Sequence, residues 1–336
     1  MDIDAQSHRT ASGCTGVLLV NLGTPEAPTA QAIRDYLAEF LSDRYVVGLP
    51  RLLWLPILYG AVLRNRPARL VPRYAGIWMD EGSPLLVYSR RQAAGLAQRL
   101  AARGLDVEVA LAMRYGRPSI EQALAQLKAR GCERILTVPM YPQYTASTTT
   151  TAVEAVTAQA ERMGLAGRLN FVGPFYDQPG YLDAQAGLIS RYWQEHGRPD
   201  KLLMSFHGLP RRVVDRGDPY YRHCLETADL LRRRLDLAEN QVEVSFQSRF
   251  GAGRWLEPYT LPRLQALPGE GVAALDVVCP GFVADCLETL EEINQLGREA
   301  FLAAGGRQFR YIPTLNDDPA WLEGLAGLVE EGLRTS

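Results

Sequence analysis

Eight short apolar runs recur along the chain, spanning residues 16–22, 107–113, 134–140, 169–172, 201–206, 242–247, 273–279 and 309–312. Each is nearly continuous rather than alternating, the pattern of strands covered by helices on both faces, as in parallel sheets. Between them, apolar residues three and four apart predict helices over 30–41, 89–102, 119–130, 181–195, 220–235, 285–303 and 319–332. This alternation predicts an α/β chain of two doubly wound halves. Each half opens with a strand leading into a Gly/Pro turn: Val20-Asn21-Leu22-Gly23-Thr24-Pro25, then Ser205-Phe206-His207-Gly208-Leu209-Pro210. Open α/β sheets bind ligands past the carboxyl ends of their strands, so both turns are expected to face one cleft. The boundary is expected at 174–180, giving units 14–175 and 176–315. A last helix in 316–336 is a candidate to pack back on the first unit.

One stretch breaks the alternation, GLPRLLWLPILYGAVL at 48–63, followed by Arg64, Arg66 and Arg69. With Pro50 and Pro56 in it, it is too short and interrupted to cross a bilayer, which takes about 20 apolar residues. Two readings stay open. It is a lip that rests among anionic headgroups or receives an apolar ligand, with Leu52, Trp54 and Leu55 meeting lipid, or it is a buried helix.

A length of 336 residues suits two domains. Hydrophobic residues at 47% and charged residues at 22% exclude a disordered chain. A formal net charge of -2 argues against a nucleic acid partner. The polar start, 1–13, has no apolar core before a cleavage site, so a cytoplasmic protein is expected, in peripheral contact with the inner face of the membrane through 48–63. Cys14, Cys132, Cys224, Cys279 and Cys286 form no CxxC pair and read as free thiols. Nucleotide signatures are missing, because Gly251-Ala252-Gly253 runs into Arg254 without a third glycine and no GxxxxGK[ST] run occurs.

His207 follows an apolar strand at the mouth of the expected cleft, where it is either a structural cap or a reactive imidazole. In the segment from Cys279 to Glu292, Asp285, Glu288 and Glu292 are spaced to line one helix face, with Glu291 turned aside. A solvated acidic face near a helix N-terminus is one reading. Carboxylates opposing an imidazole also suit a divalent ion handled with proton transfer.

Several strings resemble the ferrochelatase family, in the same order along residues 16–315. They are Asn21-Leu22-Gly23-Thr24-Pro25, Gly82-Ser83-Pro84-Leu85, Met113-Arg114-Tyr115-Gly116, Tyr141-Pro142-Gln143-Tyr144 with Ser147-Thr148-Thr149, Ser205 to Pro210, Phe246-Gln247-Ser248-Arg249 and Glu288-Thr289-Leu290. The resemblance implies two similar Rossmann-like, chelatase-type domains with a porphyrin between them. It implies a lyase inserting ferrous iron into protoporphyrin IX, with coproporphyrin III as the other candidate ring and a non-catalytic porphyrin or haem carrier as the rival function. His207 matches the family's active-site histidine and Glu288 the acid opposite it, together the expected metal and proton site. Asp285 and Glu292 extend the acidic path. Leu22, Tyr115, Trp255 and Phe282 are the expected contacts to the ring faces, and Arg114 and Ser83 those to its propionates. Many members carry histidine where this chain has Cys286. Cluster-bearing members have a cysteine where this chain has Ala146, and three more near the C-terminus. This chain has no cysteine after Cys286, so no [2Fe-2S] cluster and no other resident cofactor are expected. Iron is expected as substrate.

Overall fold

The computed structural model describes residues 14–250 and 253–335. The polar start at 1–13, and Gly251 and Ala252 of the glycine-containing turn, lie outside the described residues. Every apolar run forms a strand: β1 (Thr15–Gly23), β2 (Val107–Tyr115), β3 (Arg134–Pro139), β4 (Leu169–Phe171), β5 (Lys201–His207), β6 (Val242–Gln247), β7 (Ala274–Val278) and β8 (Gln308–Tyr311). They make two four-stranded sheets, ordered β2-β1-β3-β4 and β6-β5-β7-β8. All pairings are parallel. The second sheet repeats the path of the first strand for strand, so the Gly/Pro turns after β1 and β5 occupy equivalent places.

Those turns are tight for the same reason in both sheets. A Cβ on Gly23 would lie 1.8 Å from the Tyr115 carbonyl oxygen at the end of β2, and Gly23 sits at φ +115°. A Cβ on Gly208 would lie 2.5 Å from the Gln247 carbonyl oxygen at the end of β6. Only glycine lets each first strand press its end against its neighbour.

The helices of the first half are α1 (Ala30–Leu41), α2 (Arg51–Ile57), α3 (Leu63–Ala75), α4 (Pro84–Ala102), α5 (Ile120–Ala129), α6 (Thr151–Arg162) and α7 (Pro179–His196). Those that follow β5 are α8 (Arg211–Asp215), α9 (Tyr220–Arg234), α10 (Thr260–Ala266), α11 (Leu287–Thr289), α12 (Arg298–Ala303) and α13 (Pro319–Arg334). Local chemistry fixes several ends. Ser119 and Gln122 form a capping box on α5, and the Asp318 carboxylate accepts from Ala320 N–H at 2.8 Å ahead of α13, with Pro319 as its first residue.

Three segments depart from the pattern reading. Residues 51–75 are almost continuously helical despite Pro56, Pro67 and Pro72, with a π-helical turn at Leu58–Val62 just after Pro56. Proline removes a ladder donor, and a wider turn is one way for a helix to absorb that. α6 was hidden by a run of threonines, whose preference is for strands; packing of Thr151, Ala152, Val156 and Ala160 overrides it. The helix expected over 285–303 is three pieces, α11, a π-helical stretch at Leu290–Gly297, and α12.

The last helix of each half crosses over. α7 follows β4 yet packs on α9, and α13 follows β8 yet packs on α4 and α7. Where α7 and α13 meet, a Cβ on Gly180 would lie 2.8 Å from the Gly324 Cα, so the two backbones touch. One apolar cluster therefore draws on both sheets, including Val17, Val138, Met204, Phe206 and Trp321. A buried polar joint locks α7 to the second sheet. Asp276 on β7 accepts from Trp193 Nε1 at 2.7 Å and from Arg310 Nε at 2.6 Å. Arg310, Asp276's neighbour on β8, also donates to the carbonyls of His196 and Gly197 at the end of α7.

Candidate active site

His207 is the last residue of β5, and its side chain is exposed. Its Nδ1 lies 2.7 Å from the Gly208 carbonyl oxygen. A carbonyl only accepts, so Nδ1 carries a proton, and in the neutral ring Nε2 presents the lone pair that takes a second proton or meets a metal. Tyr220 fixes the strand end by donating its hydroxyl to the His207 carbonyl at 3.0 Å.

The end of β6 links this histidine to the acids. Gln247 is the register partner of His207, and its Nε2 donates to the Glu288 carbonyl at 2.7 Å. The next residue, Ser248, donates through its N–H and Oγ to the Glu292 carboxylate at 2.7 and 2.5 Å. Burial pushes the Glu292 carboxyl above its ordinary value, the Ser248 bonds and the nearby His207 charge oppose this, and Glu288 adds to it. Glu292 thus senses both His207 and Glu288, and its raised affinity for protons suits a relay.

The helix-face expectation is corrected for Asp285. The helix begins only at Leu287, so Asp285 precedes it and is buried. Its carboxylate accepts from Thr289 Oγ1 at 2.9 Å, from Asn316 Nδ2 at 2.7 Å and from the Tyr311 hydroxyl. These bonds anchor the start of the acidic segment to the chain after β8. Burial, then the charge and hydrogen bond of Glu288, push the Cys286 thiol up, so position 286 holds a neutral thiol beside Glu288, a poor metal ligand.

Three expected ring or propionate contacts have partners within the protein. Arg114 lies inside a closed network in which its Nη2 donates to Asp43 at 2.6 Å and its Nε donates to Thr151 Oγ1 at 2.8 Å. Tyr115 is buried, with its ring edge-on to Phe40 and its hydroxyl donating to Asp43 at 2.9 Å. Both are committed to the core beneath α1. Ser83 is also buried, its Oγ accepting from Thr24 Oγ1 at 2.8 Å, which ties the turn after β1 to the start of α4. Leu22, Trp255 and Phe282 remain only partly buried, and Trp255 closes on the turn after His207 through the Leu256 N–H bond to the Leu209 carbonyl at 2.9 Å.

The Asp43 network makes a pH prediction. Burial would push Asp43 up, but hydrogen bonds from Thr151, Tyr45 N–H and Tyr115, with the Arg114 charge, hold its carboxyl below the ordinary 3.8. A carboxyl depressed on folding stabilises fully above its unfolded value, and that stability is lost as pH falls through the folded value. Asp43→Asn is therefore expected to lower stability at pH 7 and to flatten its acid dependence below about pH 4, followed by urea unfolding across pH.

Four side chains of the first half face the acids and were not read from the sequence. Tyr36 and Tyr74 are buried, which raises both hydroxyls, and the Glu288 charge raises them further. Arg73 grips Glu291 with two bonds, Nε to Oε1 at 2.6 Å and Nη2 to Oε2. Arg66 stacks on Phe250 at 5.0 Å and makes no ion pair among the described residues. Burial lowers its proton affinity while Glu288 counters. The only sequence signal for these was the basic run after 48–63, which marks charge but not what it faces. No group of three or more His, Cys, Asp or Glu side chains is preassembled for a metal among the described residues. A groove of about 530 Å³ between α7 and α13 contains none of the site residues.

Residues 48–63 have two faces. Trp54, Leu58 and Leu63 are buried with Ile33, Leu37 and Tyr74, and Trp54 Nε1 donates to the Leu41 carbonyl at 2.7 Å. Leu52 is 91% exposed and Leu53 65%, and Leu49, Ile57 and Tyr59 are exposed beside them. Trp54 is thus an anchor and not the outward contact expected of it, because a helix turns residues about four apart, such as Trp54 and Leu58, to one inward face and the residues between them outward.

Two parallel four-stranded lobes, with His207 at the end of β5 and Glu288 and Glu292 tied to the end of β6, share the two-lobed fold of the chelatase class. The fold is similar to solved structures of that class. The sirohydrochlorin chelatase SirB from Bacillus subtilis subspecies spizizenii, in complex with cobalt, aligns at TM-score 0.56 and 11% identity over 96% of both chains. CbiX, described as the terminal enzyme of sirohaem biosynthesis in denitrifying bacteria, aligns at TM-score 0.51 and 15% identity over 94% of this chain and 98% of its own. At the sequence level the ferrochelatase family model matches residues 14–333. A ferrochelatase of Bordetella pertussis (strain Tohama I) is 66% identical over 96% of this chain and 89% of its own length. One of Neisseria meningitidis serogroup B (strain MC58) is 52% identical over 96% and 95%. This chain belongs to the ferrochelatase family.

Proposed function

We propose that this chain is a lyase that inserts ferrous iron into protoporphyrin IX to give protohaem, the last step of haem synthesis. The observation that carries the reading is the link through the end of β6, where Gln247 joins the His207 strand to Glu288 and Ser248 holds Glu292 beside them. Metallation takes two N–H protons from the ring and strips water from the ion, so it needs a base and an acidic route on opposite sides of the macrocycle. His207 accepts pyrrole protons or joins the metal through Nε2, with Glu288 across from it. Glu292, whose affinity for protons burial raises, continues the route by which protons leave or iron arrives. Iron is substrate, and no resident cofactor or [2Fe-2S] cluster is part of the proposal.

Leu22, Trp255 and Phe282 hold the ring, and Arg66, which makes no ion pair among the described residues, is a second guanidinium beside Arg114 for a propionate. The lobes divide as 14–175 and 176–315, with α13 returning to the first. Iron or zinc insertion followed by absorbance, with protoporphyrin IX and coproporphyrin III side by side, tests the reading. Faster turnover of coproporphyrin III would replace the substrate. A ring that binds tightly without metallation by either ion would make the protein a carrier.

No helix among the described residues is long and apolar enough to cross a membrane. The exposed Leu52, Leu53 and Ile57 instead rest on the surface of an anionic membrane, with Arg51 and Arg64 among the headgroups. Replacing all three with serine is expected to weaken binding to anionic vesicles at least about tenfold in a sedimentation assay. Trp54→Ala should act differently, lowering stability by roughly 3–5 kcal/mol through loss of its buried contacts.

A further inference from the structure

We propose that Cys14 and Cys132 are a redox-modifiable pair that closes to a disulfide when the protein meets a peroxide. Their Sγ atoms are 2.8 Å apart, against about 2.05 Å in a disulfide, so closure takes less than an ångström of sulfur movement. The backbone already holds the two residues together. β1 and β3 pair in parallel with Thr15 opposite Arg134, and Glu133 N–H donates to the Cys14 carbonyl at 2.8 Å. No segment has to move for the bond to form.

The other three thiols are placed differently. Cys279 Sγ contacts Gln247 Oε1 at 3.7 Å, Cys224 bonds with Tyr220, and Cys286 sits beside Glu288. All three are buried.

The two sulfurs divide the work by exposure. Cys14 is half-buried and reachable, whereas Cys132 is fully buried. Burial, then its hydrogen bond with Cys14 and the charge there, push the Cys132 thiol up to about 12. Peroxide therefore reacts at Cys14. Its sulfur attacks one peroxide oxygen, the O–O bond breaks, and water leaves behind a sulfenic acid. The Cys132 sulfur then displaces the hydroxyl from Cys14 Sγ, its own proton leaving with that hydroxyl as a second water. The two thiols give up two electrons, and these reduce one peroxide to two waters.

The bond staples the start of β1 to the start of β3. This is the amino-terminal edge of the first sheet, opposite in strand direction to the end that carries the ligand turns. It closes a loop of more than a hundred residues, the range in which a cross-link most restricts the unfolded chain.

The test uses the full-length protein treated with stoichiometric hydrogen peroxide or with dithiothreitol. Titratable thiols of the denatured protein should fall from five to three on oxidation. A tryptic digest should then contain residues 10–34 disulfide-linked to residues 131–134. Thermal unfolding of the oxidised form should move up by roughly 5–10 °C, reversed by dithiothreitol. Cys14→Ser should abolish the linked peptide and the shift, and Cys132→Ala should abolish both independently. Retention of five thiols, oxidation of Cys14 without the linked peptide, or an undiminished shift in Cys14→Ser would overturn the proposal.

Discussion

His207→Ala is expected to lower the iron-insertion rate by about 10²–10⁴-fold, the usual contribution of a positioned general base, while porphyrin binding measured by fluorescence quenching stays nearly unchanged. The separation of the two effects follows from where the side chain sits. His207 is exposed at the end of β5 and its ring is held by one bond to its neighbour's carbonyl. Removing it takes away little buried surface, and the strand end stays fixed by Tyr220 through the His207 backbone. Far-UV circular dichroism and the urea midpoint should accordingly match those of the parent protein. Turnover within threefold of the parent would reject His207 as base or ligand. A fall in binding equal to the fall in rate would assign it to holding the ring instead.

Asp276→Ala is expected to cost about 3–5 kcal/mol of stability, the range for breaking a buried ion pair by removing one partner. Asp276 is fully buried, and its loss leaves the Arg310 guanidinium without a counter-charge and Trp193 Nε1 without an acceptor. The same residues hold the end of α7 against the second sheet, so the damage should reach the packing of α7 on α9. Equilibrium urea unfolding should show a lower midpoint. The double variant Asp276→Leu with Arg310→Met should lose less than Asp276→Ala alone, because it leaves no buried charge unpaired. A single variant within about 1 kcal/mol of the parent would mean that water reaches and screens the joint.

Function and architecture differ in what they required. The strands were legible because buried parallel strands are apolar on both faces, so each run declared itself without reference to any neighbour. The turns after β1 and β5 were legible because Gly23 and Gly208 are demanded by contacts at the strand ends. The segment 285–303 was misread as one helix because its composition carries no mark of π-helical geometry. Nor does it show that the helix starts only at Leu287, which leaves Asp285 ahead of it as a buried anchor. The partner that Arg114 takes was not legible for a related reason. An arginine in a motif does not reveal its partner, and Asp43, 71 residues away in sequence, had claimed it.

By itself, the order of residues determined the eight strands, the two-lobed plan, the family and the histidine and glutamate that define the candidate site, since local pattern and strings of motif residues need no knowledge of distant neighbours. Only the tertiary structure decided which first-half side chains face those acids, which face of 48–63 is outward, and where the last helix of each half lies. The facing side chains depend on pairs brought together across more than a hundred residues, such as Arg73 with Glu291, while the outward face of 48–63 is set by nearer partners such as Leu41. Burial and partner choice arise only once the two sheets and their exchanged helices have closed on one another.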